Sequence, residues 1–155
     1  MSRYELKFNL DLFKTPNYIK KISKKDLPIL AEAFRYVILQ AVSKNGGHLS
    51  SNLGIVELTI SLHRVFNLPE DKILFDVGHQ SYTHKLLTGR SLENLRQKDG
   101  VSGFIKINES KFDCFEAGHS STSLSAAQGM AISRDLNKDK YNVIAVIGDA
   151  SISSG

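Results

Sequence analysis

Three short strings bring together the residue types that could do chemistry: Gly78-His79-Gln80, Gly118-His119-Ser120-Ser121-Thr122-Ser123 and Gly148-Asp149-Ala150-Ser151. Each opens on glycine, which allows close approach to the backbone, and passes at once into polar side chains. The second adds hydroxyls to the amides of a helix start, a combination that suits an anion and phosphate in particular. It suits a plain helix cap equally well, since Ser and Thr are favoured there. Asp149 follows the most apolar stretch of the chain. It reads either as a turn or N-cap aspartate, or as a hard oxygen ligand for Mg²⁺ that bridges to phosphate oxygens.

Histidine offers a second chemistry. His48 after Gly46-Gly47 and His79 after Gly78 stand where a side chain can enter a cleft. His84 and His119 lie in comparable loop-like stretches, whereas His63 falls inside a helical pattern and reads as a surface or packing residue. Imidazole near neutral pH can move protons and bind a developing alkoxide. It also packs, so both roles stand open for His48 and His79. No His-Glu-x-x-His spacing, nucleophile elbow, Walker loop or dinucleotide-binding glycine pattern occurs.

Period and punctuation predict the elements that position these strings. Leu27, Leu30, Ala31, Phe34, Ile38, Ala41 and Val42 line one face of a helix that starts near Asp26 and stops at Asn45-Gly46-Gly47. A second helix follows Asn52, with Ile55, Leu58, Leu62 and Val65 inward, and ends before Pro69. Residues 72–78 read as a buried strand and 112–118 as a weaker one. A helix rich in small residues spans about 122–136, and 142–148 is the clearest strand, apolar throughout like parallel strands covered on both faces. The region 81–103 reads as helical in pieces. Alternating strands and helices predict an α/β domain, a parallel sheet flanked by helices, whose strand ends form one ligand crevice. No helix returns over the sheet after the last strand, so the domain is expected to be an incomplete piece of something larger.

The 155 residues are 41% hydrophobic and 23% charged, which excludes disorder. The longest aliphatic run, Val143 to Ile147, is far short of the roughly 20 residues of a membrane helix. Met1 to Lys7 leads into no apolar stretch, so neither membrane nor secretory signal is expected. The single cysteine, Cys114, excludes an internal disulfide and fits a reducing compartment such as the cytoplasm. The net charge of +4 is local. Residues 1–25 hold seven bases against two acids, and the remainder carries 13 bases and 14 acids. A solvated basic arm over 1–25, ahead of a domain over 26–155, is expected, and nucleic acid is not an expected partner.

Taken in order, further segments join these strings: Gly47-His48-Leu49-Ser50-Ser51-Asn52-Leu53-Gly54, Val56-Glu57-Leu58-Thr59, Phe75-Asp76-Val77-Gly78-His79-Gln80-Ser81-Tyr82 and His84-Lys85-Leu86-Leu87-Thr88-Gly89-Arg90. Together with Arg96-Gln97-Lys98, Gly103-Phe104, Glu109-Ser110, the 118–123 run and Val146-Ile147-Gly148-Asp149, they resemble 1-deoxy-D-xylulose-5-phosphate synthase from about residue 26 onward. The resemblance implies the thiamine-diphosphate-binding fold and condensation of pyruvate with D-glyceraldehyde 3-phosphate, with loss of CO₂. The product feeds isoprenoid, thiamine and pyridoxal synthesis. It implies thiamine diphosphate and Mg²⁺ as cofactors and a homodimer at full length. By motif position Asp149 would be a metal ligand, and His79, Gly118, His119, Ser120, Ala150 and Ser151 would line the cofactor. His48 and His79 would assist proton transfers at the reacting carbon. Ala150 departs from the family's Gly-Asp-Gly. The family's second metal ligand and its pyrimidine-activating glutamate are expected beyond Gly155, so this chain alone would be inactive. The N-terminal subunit of a split transketolase, and a non-catalytic remnant that binds a partner or phosphate, are the other readings.

Overall fold

The computed structural model describes residues 8–153. The first seven residues of the basic stretch, with the opening segment read for a secretory signal, lie outside it. The chain is mixed α/β and mostly helical, with a two-stranded parallel sheet among the described residues. It forms two compact units, Met1–Val65 with Gln80–Gly103 and Phe66–His79 with Phe104–Gly155.

The first unit is helical. Helix α1 (Leu27–Asn45) buries Leu30, Ala31, Ala33, Phe34, Ile38 and Ala41, the apolar face that its spacing predicts, with Leu27 and Val42 half-buried. Asp26 holds the N-cap position without a capping bond; its carboxylate accepts instead from Ser23 Oγ at 2.6 Å. Gly46 ends the helix at φ +72°, its N–H donating to the Val42 carbonyl. Residues 8–25 do not form a solvated arm. Short 3₁₀ turns at Leu10–Leu12, Pro16–Lys21 and Lys24–Asp26 seat Phe13 and Ile19 in the core beside Phe34. Arg64 Nη1 donates to the carbonyls of Ile19 and Ile22, at 3.0 and 2.7 Å. Apolar residues interleaved among the lysines decide the packing, and Lys21, Lys24 and Lys25 stay at the surface.

The helix expected after Asn52 is α3 (Val56–Val65), and a short helix that was not expected, α2 (Leu49–Leu53), precedes it across Gly54. The buried face of α3 is not the expected one. Val56, Thr59, Ile60 and His63 are buried, while Leu58 and Val65 are 51% and 68% exposed and Ile55 and Leu62 are half-buried. The helix is turned by about one position because His63 has a partner inward, whereas the buried Thr59 Oγ1 has none among the described residues. His63 lies against α4 (Tyr82–Leu87), where its Nε2 meets Nδ1 of His84 at 2.9 Å. His84 is therefore a buried helical residue rather than a loop residue. The other ring nitrogen of His63, Nδ1, has no hydrogen-bond partner among the described residues.

Burial, followed by the neighbouring His84, Arg90 and Lys20 charges, holds His63 well below its ordinary value of 6.5. A base that stays neutral in the folded chain and titrates normally once unfolded gives full stability above pH 6.5. That stability is lost as pH falls from 6.5 toward the folded value. The unfolding free energy should therefore drop by up to about 1.4 kcal/mol per pH unit below 6.5. Urea titrations at pH 7 and pH 5 on the wild type and on His63→Leu measure it: the slope should shrink in the variant.

In the second unit, β1 (Lys72–Phe75) and β2 (Val143–Val146) pair in parallel, Lys72 opposite Val143 and Phe75 opposite Val146. Asp71 fixes this start, its Oδ1 accepting from the backbone and side-chain amides of Asn142 at 2.7 and 2.9 Å. Helix α5 (Thr122–Asn137) packs against the sheet, and α6 (Asp149–Ile152) follows β2. Two expectations fail here. Residues 112–118 form no strand: the Asp113 amide is held in a turn by Ser110, and the Cys114 thiol, not a backbone amide, meets the Ile73 carbonyl. Strand β2 is not covered on both faces either, since Val143, Ile144 and Ala145 are only half-buried among the described residues. No described helix is long and apolar enough to cross a membrane.

Candidate functional site

Because β1 and β2 run parallel and in register, the turns at Gly78 and Gly148 leave the same edge of the sheet. Gly78 takes φ +85°, and a Cβ there would lie 2.7 Å from the Ile105 amide nitrogen. Only glycine fits this turn, which carries the half-buried His79. The 118–123 run reaches that edge through Asp76, the first residue after β1, which is 2% exposed. Its Oδ1 accepts the Ser121 N–H at 3.0 Å, and its Oδ2 the Ser123 N–H at 3.3 Å. Ser121, itself in a left-handed conformation at φ +71°, donates its Oγ to the Ser151 carbonyl in the first turn of α6. Of the predicted site residues, His79, Gly118, His119 and Ser120 thus belong to turns at the carboxyl edge of one sheet, and Asp149, Ala150 and Ser151 to the short helix α6 that starts at that edge. His48 belongs to the other unit.

This geometry revises the anion site. Two amides at the start of α5 are already donated to the Asp76 carboxylate, so they are not available to a phosphate. Donors that remain exposed are the side chains of His119 and Ser120. Gly118 is exposed, and a Cβ there would meet nothing within 4 Å. The chain's own packing does not demand glycine at that position, which leaves room for a ligand to approach. Asp149, exposed, is the acidic residue of the first turn of α6. Among the described residues no three His, Cys, Asp or Glu side chains gather to hold a metal ion. A single carboxylate fits Mg²⁺ where phosphate oxygens and waters complete the octahedron, which is how that ion is usually bound.

In the first unit, His48 is the N-cap residue of α2 and is half-buried. Its amide N–H donates to Tyr82 Oη at 3.2 Å, its Nδ1 lies 3.4 Å from the same oxygen, and its carbonyl accepts from Asn52 Nδ2 at 2.6 Å. Asp76, Tyr82 and Asn52 escaped the sequence reading. Asp76 had a visible signal, an acid interrupting the apolar run Ile73-Leu74-Phe75-Asp76-Val77. Tyr82 had none, because its partners are 30 or more positions away; Asn52 bonds the His48 carbonyl four positions back, but its tie to the Tyr82 amide spans 30.

A mixed α/β chain with glycine turns gathered at the carboxyl edge of a parallel sheet belongs to the class that holds ligands outside the strand ends. The family model described as 1-deoxy-D-xylulose-5-phosphate synthase matches residues 10–155, and the chain belongs to that family. It is 59% identical over 138 residues to the 1-deoxy-D-xylulose-5-phosphate synthase of Alkaliphilus oremlandii, covering 88% of this chain and 22% of the relative. The Clostridium acetobutylicum enzyme of the same name is 55% identical over 94% of this chain and 24% of its own length. A chloroplastic relative from Oryza sativa is also 55% identical, over 94% of this chain and 21% of its own length. The chain thus spans about a quarter or less of the curated relatives it matches.

Proposed function

We propose that this chain is the amino-terminal portion of an enzyme that condenses pyruvate with D-glyceraldehyde 3-phosphate to 1-deoxy-D-xylulose 5-phosphate and CO₂. The observation that carries this reading is the 55–59% identity to synthases of that name over 88–94% of the chain. The second unit supports it, with a carboxylate, an imidazole, hydroxyls and an open glycine at one sheet edge. Thiamine diphosphate, when bound with Mg²⁺, supplies the carbanion chemistry that decarboxylation of a 2-oxo acid requires. Asp149 would hold the metal ion through its carboxylate. His79, Gly118, His119, Ser120, Ala150 and Ser151 would line the diphosphate, with His119 and Ser120 as exposed donors and Asp76 fixing the loop that carries them. Since Asp76 takes two amides at the start of α5, the diphosphate would depend on a cation at Asp149 more than on that helix start. His48 and His79 would move protons at the reacting carbon and its oxygen. The enzyme is proposed to act as a cytoplasmic homodimer.

The test uses the protein made by the whole reading frame that contains this segment. It measures ¹⁴CO₂ from carboxyl-labelled pyruvate with thiamine diphosphate and Mg²⁺, with and without D-glyceraldehyde 3-phosphate. Release with formation of a five-carbon ketose phosphate supports the proposal. Ketose transfer between sugar phosphates without release of CO₂ would point to a transketolase instead.

A further inference from the structure

We propose that Tyr82 and Asn52 are positioning residues that hold His48 as the neutral tautomer protonated at Nε2. The functional weight of this rests on the role given to His48 above; the structural statement does not. Tyr82 is fully buried. Its hydroxyl reaches the His48 backbone only because residue 47 is glycine. A Cβ on Gly47, at φ +148°, would lie 2.8 Å from Tyr82 Oη.

The tautomer follows from counting protons on that oxygen. Tyr82 Oη already accepts the His48 amide N–H at 3.2 Å. Its own hydrogen then needs an acceptor, because an unpaired buried hydroxyl is costly. The other polar contact of Oη among the described residues is His48 Nδ1, at 3.4 Å. With Nδ1 accepting, the neutral ring carries its proton on Nε2. The opposite tautomer would aim two N–H groups at Oη and strand the tyrosine hydrogen.

Asn52, also fully buried, closes the network. Its Oδ1 accepts the Tyr82 amide N–H at 2.8 Å, while its Nδ2 donates to the His48 carbonyl at 2.6 Å. Two residues therefore grip His48 at its amide, its carbonyl and its ring. An imidazole fixed in this form presents an N–H donor at Nε2, which suits hydrogen bonding to a substrate oxygen as negative charge develops there. The other tautomer would present a lone pair.

The test is a long-range ¹H–¹⁵N correlation spectrum of the ¹⁵N-labelled 155-residue chain, above the pH range where imidazole titrates. The His48 signals are assigned by their loss in His48→Gln. The expected result is a protonated Nε2 and a hydrogen-bonded, unprotonated Nδ1. In Tyr82→Phe the Nδ1 resonance should shift from its wild-type position, and the two tautomers should mix. A wild-type ring protonated at Nδ1 overturns the proposal, and so does an Nδ1 resonance unchanged in a folded Tyr82→Phe. Should that variant not fold, the wild-type tautomer decides alone. In the whole enzyme, Tyr82→Phe should lower kcat about tenfold, as for one lost hydrogen bond, with KM and cofactor affinity nearly unchanged. If the tautomer is as stated but His48→Ala keeps full turnover, the positioning stands and the catalytic reading of His48 falls.

Discussion

His48→Ala in the whole enzyme is expected to lower turnover by about 10²–10⁴-fold, the range for a general acid–base group, and to leave thiamine diphosphate affinity close to wild type. The reason is the role proposed for each group. His48, bonded through Tyr82 and Asn52, is proposed to move protons at the reacting carbon, whereas another carboxylate and other donors are proposed for the diphosphate. Asp149→Ala should invert the pattern. Without that carboxylate the proposed Mg²⁺ site would lose the charged side chain assigned to it, and the diphosphate would lose the cation that offsets its charge. Cofactor binding should weaken severely, with excess Mg²⁺ restoring only part of it. Steady-state kinetics and cofactor titration on both variants separate the two roles. Normal cofactor affinity in Asp149→Ala, with loss of affinity in His48→Ala, would show both assignments to be wrong.

Asp76→Ala is expected to cost about 2–4 kcal/mol of stability, well above a typical surface change. The side chain is 2% exposed and accepts two backbone amides at the start of α5, so its removal strands both in a buried place. Asp76→Asn keeps one acceptor oxygen and should lose clearly less. Urea unfolding gives the numbers, and a value for Asp76→Ala within 0.5 kcal/mol of wild type, the ordinary surface range, would mean that the amides find other partners. Because α6 is tied to the same turn through Ser121 and Ser151, Asp76→Ala should also weaken cofactor binding, by misplacing donors rather than by removing one.

How far the sequence could be read follows from the range of each interaction. Helix α1 was legible because apolar spacing and the glycine stop are local signals. The two parallel strands were legible as apolar runs ending in glycine. The buried face of α3 was not, because the choice between Leu58 and His63 is made by His84, 21 positions away in the chain. Residues 112–118 have strand-like composition, but a ladder needs free amides, and that of Asp113 is taken locally by Ser110. The lysines of residues 8–25 hid the few side chains, Phe13 and Ile19, that dock the segment. For the site, the glycine-polar strings named the residues at the sheet edge. The buried partners that hold them could be seen only once the chain was folded.

The two-stranded sheet has a further consequence, for handling the protein. Strand β2 pairs only with β1 among the described residues, and its apolar side chains are half-open. A row of unpaired backbone groups beside Val143, Ile144 and Ala145 is a template on which another chain can add a strand. The chain carries no proline or charged side chain within β2 to discourage this. Colloidal behaviour of the isolated 155 residues should therefore be governed by that edge, with light scattering that rises steeply with concentration. A lysine introduced at Ile144 should keep the solution clear.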